Sequence, residues 1–102
     1  MADSTLISAQ VSVAALNRAL EGYRIVRQVG HGAMGIVFEA EQKSLGRRVA
    51  LKVLPPNLAL RTLTVKRFLR EAEAMGKLGH PNIVDVYEVG SIQEFHFFSM
   101  RF

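Results

Sequence analysis

Residues 30–37, Gly-His-Gly-Ala-Met-Gly-Ile-Val, constrain this chain more than any other stretch, because Gly30, Gly32 and Gly35 fall at the spacing G-x-G-x-x-G. Glycines so placed let backbone N–H groups approach an anion closely, since no Cβ stands in the way. Several phosphate-binding turns share the spacing, and the residues immediately after the last glycine tell them apart. A dinucleotide-binding turn leads from a strand directly into a helix, whose N-terminus receives the pyrophosphate. Here the last glycine leads into Ile36-Val37-Phe38-Glu39-Ala40-Glu41, which alternates and carries β-branched residues. That pattern predicts a strand. The glycines therefore join strand to strand, and a hairpin closes over whatever they cover.

The rest of the chain falls into elements around this hairpin. Leu6, Ala9, Val13, Leu16 and Leu20 recur at intervals of three and four. This predicts a helix over residues 6–20, capped by Ser4 or Thr5 and ended by Gly22. Residues 23–29 form the strand that leads into the glycines, and residues 36–42 the strand that leaves them. After a turn at 43–47, residues 48–54 read as a third strand, stopped by Pro55-Pro56-Asn57. Val65, Phe68, Leu69, Ala72, Met75 and Leu78 mark one face of a helix over 64–78. Thr62 or Thr64 is its expected cap, with Gly79 and Pro81 ending it. Strands at 83–89 and 95–102 come next, with Gly90-Ser91 as the turn between them. Strand, strand, strand, helix, strand, strand predicts an α+β fold: a five-stranded antiparallel sheet with one packed helix.

Composition narrows the class. With 49% hydrophobic and 22% charged residues among 102, the chain can bury a modest core and is not a disordered one. No apolar run approaches the roughly 20 residues that a membrane helix needs, and the acidic start Met1-Ala2-Asp3 is unlike a signal peptide. Cysteine is absent, which excludes a disulfide framework and cysteine metal sites. The net charge of +4 suits a solvated basic surface or a phosphate-bearing ligand. Nucleic acid is not the expected partner, because Phe97 and Phe98 lack a nearby cluster of Lys and Arg.

Three chemical features stand in order: the glycine loop between strands, Lys52 in Val49-Ala50-Leu51-Lys52, and a helix bearing Glu71. Lys52 lies between Ala50, Leu51, Val53 and Leu54. In so apolar a strand its ammonium must point to solvent or meet an anion. Together with Phe68-Leu69-Arg70-Glu71-Ala72 and His80-Pro81-Asn82-Ile83-Val84, the set resembles the serine/threonine protein kinases of bacterial type, over residues 23–102. The resemblance implies a kinase small lobe, preceded by an N-terminal extension, residues 1–22, with a short helix.

The resemblance also implies ATP as ligand. Gly30, His31, Gly32, Ala33, Met34 and Gly35 would cover its phosphates. Val37 and Ala50 would cover the adenine, and Met100 would stand at the back of that pocket. Lys52 would hold the α- and β-phosphates and pair with Glu71. Glu73 is the alternative partner, about 200° away around the helix. Met75 and Val86 would stack in an internal spine. The family's second lobe supplies the H-R-D base, the asparagine and D-F-G aspartate that hold magnesium, and the protein substrate's platform. None of those motifs occurs in these 102 residues. The expectation is a cytoplasmic chain with no catalytic or metal-binding residue of its own. Alone it would be inactive, needing the missing large lobe, with the last strand, 95–102, exposing an apolar face. The other expectation is a stand-alone pseudokinase-like regulatory module, for which Lys52 has no use.

Overall fold

A computed structural model describes residues 12–32, 35–55, 62–78, 85–92 and 95–102, and for 75–78 the backbone alone. Its elements run in the order α1 (Val13–Ala19), β1 (Tyr23–His31), β2 (Ile36–Gln42), β3 (Arg47–Leu54), α2 (Thr62–Leu78), β4 (Val86–Ile92) and β5 (Phe95–Arg101). The five strands form one sheet in the order β1-β2-β3-β5-β4, antiparallel throughout. The expected sheet with a helix packed on it is therefore the observed architecture.

Period-two alternation sorts the side chains between two cores. Ile36, Phe38 and Ala40 of β2, Val49, Leu51 and Val53 of β3, and Phe95 and Phe97 of β5 are buried on the face covered by α1, whose Leu16 and Ala19, with the C-cap Leu20, complete that core. On the other face Leu54 and Phe98 pack against Phe68 and Ala72 of α2, with Val65, Val86 and Met100 at the margin. The central strand β3 thus has both faces covered, and Val49, Leu51, Val53 and Leu54 are wholly buried.

Several boundaries differ from expectation, each for a local reason. Helix α1 starts at Val13 because Ser12 is extended (φ −80°, ψ 157°) and its hydroxyl accepts the Ala15 N–H at 3.0 Å. Serine competes for backbone groups this way and so caps helices rather than continuing them. Residues 6–11 and the expected caps Ser4 and Thr5 lie outside the described residues. Helix α2 already includes Thr62 and Thr64, so neither stands ahead of it as a cap. Leu69 is 38% exposed, since it follows Phe68 by about 100° and turns off the buried face. Gly79, His80, Pro81 and the start of the expected fourth strand, residues 83–84, lie outside the described residues.

Gly90-Ser91 is not a turn. Gly90 pairs with Phe97 and Ser91 with His96 inside the β4–β5 ladder. A Cβ on Gly90 would stand 2.7 Å from Phe97 Cζ, so the ring takes the space of the missing side chain. The last strand also departs from expectation. It lies between β3 and β4, which buries Phe95, Phe97 and Phe98, leaving Phe102 beyond its end as the exposed aromatic. By contrast, the turn at 43–46 is as expected, with Gly46 at φ +60°, a conformation that suits glycine.

The sheet is strongly curled. Tyr23 on β1 donates its hydroxyl proton to Glu88 on β4, the opposite edge, and is hydrogen-bonded to Ser99 of β5 at 3.1 Å. The Tyr23 ring meets Phe97 edge-on, with centroids 5.9 Å apart. Burial, helped by donation to Glu88, pushes the Tyr23 hydroxyl up to about 12, against a smaller downward pull from Ser99.

An unfolded tyrosine ionises near pH 10, so the proton is held more tightly in the folded protein. Its contribution to stability is complete below about pH 10 and is lost as pH rises towards about 12. Tyr23→Phe is expected to cost about 1–2 kcal/mol at neutral pH, because Ser99 and Glu88 lose a partner. Denaturant unfolding at pH 8 and in the alkaline range should show the difference between the two proteins shrinking. A constant difference would contradict this account of the clasp.

Candidate functional site

The candidate residues are gathered by strand register. Val37 on β2 lies opposite Lys52 on β3, and Lys52 lies opposite Phe98 on β5. Two residues along, Ala50 lies opposite Met100. Partners in an antiparallel ladder share a face, so Val37, Ala50, Lys52 and Met100 all belong to the face on which α2 packs.

Helix α2 is docked by apolar contacts. The rings of Phe68 and Phe98 lie 5.1 Å apart, and Ala72 is buried beside them. This places Glu71, the residue before Ala72, over β3. The Lys52 ammonium donates to Glu71 Oε1 at 2.7 Å. The Lys52 side chain retains only 18% exposure and Glu71 retains 37%. Of the two expected partners, Glu71 and Glu73, the helix docking selects Glu71. The Lys52 Nζ also stands 5.9 Å from the centre of the Phe98 ring, within the range of a weak cation–π attraction. The ammonium thus meets an anion at the edge of the core, as its apolar neighbours require.

The hairpin closes at its tip. Gly30 pairs with Val37 and His31 with Ile36, and the Gly32 N–H donates to the Gly35 carbonyl at 2.8 Å. Ala33 and Met34 lie outside the described residues. The three glycines have different surroundings. A Cβ on Gly35 would stand 2.8 Å from the Val53 carbonyl oxygen and 3.4 Å from Lys52 Cε. Gly30 and Gly32 face open space within 4 Å of where a Cβ would be. Gly35 is therefore required for the loop to lie against β3 beside Lys52, while Gly30 and Gly32 leave their backbone accessible. His31 is exposed.

The sequence did not single out Glu39. It sits on the Ala50 side of the sheet, with Arg27 at 2.8 Å and Arg48 at 3.5 Å, and its side chain is only 13% exposed. A glutamate alternating with buried residues in β2 was the available signal. A cavity of about 210 Å³, bordered by Tyr23, Gln42 and Glu88, lies elsewhere and touches none of these residues.

A sequence model of the protein kinase domain matches residues 23–101. The chain belongs to the protein kinase family. It is 42% identical over 81 residues to a probable serine/threonine-protein kinase PknB of Lactococcus lactis, covering 78% of this chain and 13% of that protein. It is 41% identical over 83 residues to serine/threonine-protein kinase PknD of Chlamydia muridarum, covering 81% of this chain and 9% of that protein. Among solved structures, the PknI kinase domain of Mycobacterium tuberculosis superimposes with a TM-score of 0.64 at 32% identity, over 91% of this chain and 35% of that one. The chain thus corresponds to the N-terminal portion of a bacterial-type serine/threonine kinase domain and spans a small part of these relatives. No helix among the described residues is long and apolar enough to cross a membrane.

The unequal glycine surroundings predict unequal responses. Gly35→Ala forces the new methyl against a backbone carbonyl and should destabilise by about 1–3 kcal/mol. Gly30→Ala and Gly32→Ala meet nothing and should stay within about 0.5 kcal/mol of the parent. Thermal unfolding of the three variants checks this order. Equal losses would refute the packing role of Gly35.

Proposed function

We propose that residues 23–102 are the ATP-binding small lobe of a serine/threonine kinase that phosphorylates protein substrates, with residues 1–22 as an N-terminal extension. The observation that carries this reading is the 2.7 Å Lys52–Glu71 pair, held beside a glycine hairpin that only a residue without Cβ can complete.

The residues suit ATP in kind and place. Backbone N–H groups of the loop around Gly30, His31, Gly32, Ala33, Met34 and Gly35 would meet phosphate oxygens. Lys52 supplies a fixed positive charge for the α- and β-phosphates. Val37, Ala50 and Met100 offer an apolar surface to the adenine, and the small side chain of Ala50 leaves room for it. Glu71 holds the ammonium in place, and its value is positional. Bound ATP supplies the transferable phosphoryl group. The base and magnesium ligands that the family uses for transfer do not occur in these 102 residues. Transfer therefore needs a large lobe, and this chain alone is expected to be inactive. Use of ATP points to a cytoplasmic setting.

Titration with a non-hydrolysable ATP analogue tests the reading. Lys52→Ala should weaken binding by about 10–100-fold, as expected for losing a hydrogen bond from a charged group. Gly30→Ala and Gly32→Ala should weaken it less while leaving thermal stability unchanged. Binding that is indifferent to Lys52→Ala would remove the role assigned to that residue.

A further inference from the structure

We propose that Asn17 is a positioning residue for the glycine loop: its side-chain amide acts as the missing neighbour of edge strand β1 and fixes Ile25 upstream of Gly30. The proposal rests on the reading that this loop holds ATP phosphates. Strand β1 lies at one edge of the sheet and has β2 as its single strand neighbour. An edge strand presents N–H and C=O groups with no strand to receive them. At Ile25 both are satisfied by one side chain. The Ile25 N–H donates to Asn17 Oδ1 at 2.8 Å, and Asn17 Nδ2 donates to the Ile25 carbonyl at 3.2 Å. An amide is the group that can do both, since it carries a donor and an acceptor side by side. The same two-bond pairing joins residues of adjacent antiparallel strands.

Asn17 is exposed, and the helix that carries it is anchored beside it. Its neighbour Leu16 and the next-turn Leu20 are buried in the core under the sheet, at 0% and 1% exposure. Beyond Ile25, strand β1 stays paired with β2 but in an interrupted ladder. Its register against β2 shifts between Ile25 and Arg27 and again between Gln28 and Gly30. The residues skipped, Val26 and Val29, are each 41% exposed. Between the shifts the Arg27–Glu39 pair adds little, because the Arg27 side chain is 63% exposed. A strand interrupted twice takes its course from whatever fixes it before the first interruption. There the ladder with β2 at Tyr23, Arg24 and Ile25 holds one side of the strand, and the Asn17–Ile25 pairing holds the other, made by a helix that packs on the face of the sheet opposite Lys52.

Amide hydrogen exchange and analogue titration on the full chain test the proposal, with parent, Asn17→Ala, Asn17→Asp and Lys52→Ala compared. Asn17→Ala should speed exchange at Ile25 by about tenfold or more. The effect should extend through residues 27–32 and leave β4 and β5 unchanged. It should also weaken analogue binding by about 3–10-fold. Asn17→Asp keeps the acceptor and loses the donor at neutral pH. Protonation restores the donor, so Ile25 protection, corrected for intrinsic rates, should recover as pH falls towards about 4. Exchange that rises equally across β4 and β5 would mean a general loss of stability and would overturn the positioning role. So would analogue binding that Lys52→Ala weakens and Asn17→Ala leaves unchanged. A parent chain that binds no analogue would overturn the ATP reading and this role with it.

Discussion

An ammonium group placed on a strand that is covered on both sides must find a counter-charge, and much of this lobe is arranged around that requirement. Strand β3 is the middle of the sheet, with α1 beneath one face and α2 on the other. Lys52 leaves it towards α2, where the Phe68–Phe98 contact has already brought Glu71 into reach. The apolar contact does the docking and the ion pair sets the position. A partly exposed pair contributes little to stability by itself. Its effect is to give one charge a single location, which matters for recognising a ligand that also carries charge.

The two faces of the sheet divide the labour. The α1 face is closed by aliphatic and aromatic side chains, and its polar groups include the Tyr23, Glu88 and Ser99 cluster. The α2 face carries Lys52, Glu71, Glu39 and the open side of the glycine hairpin. Chemistry and scaffolding thus lie back to back, one residue apart along each strand. A register slip of one residue would exchange them, and the dense packing of Val49, Leu51 and Val53 makes such a slip costly.

Much of this was legible in the residues. Alternation around Ile36, Phe38 and Ala40 marked a strand. Lys52 stood out because lysine is rare between Leu51 and Val53, and the helical spacing of Phe68 and Ala72 showed which side of α2 would be buried. What was hidden depended on contacts between distant segments. Gly90 looked like a turn residue by propensity, yet it lies inside the ladder, where the Phe97 ring fills the space of its missing side chain. Ser12 fell inside the helix expected over residues 6–20, yet its hydroxyl starts the helix. Glu88 and Asn17 had no local signal, since their partners are 65 and 8 residues away and each meets its partner only once the sheet has curled or the helix has docked.

The curl has a consequence for how the lobe assembles. Its closing hydrogen bonds join Tyr23 to Glu88 and to Ser99, separated by 65 and 76 residues in the chain. Strand β3, moreover, pairs with the last strand rather than with the one that comes next in sequence. Contacts of such long range carry a loop-closure cost before they return any stabilisation. Without β5 the first three strands form a meander in which the edge of β3 that pairs with β5, at Ala50, Lys52 and Leu54, is unoccupied. Strand β5 supplies Phe95 and Phe97 to one core and Phe98 to the other, so neither core is complete without the last strand.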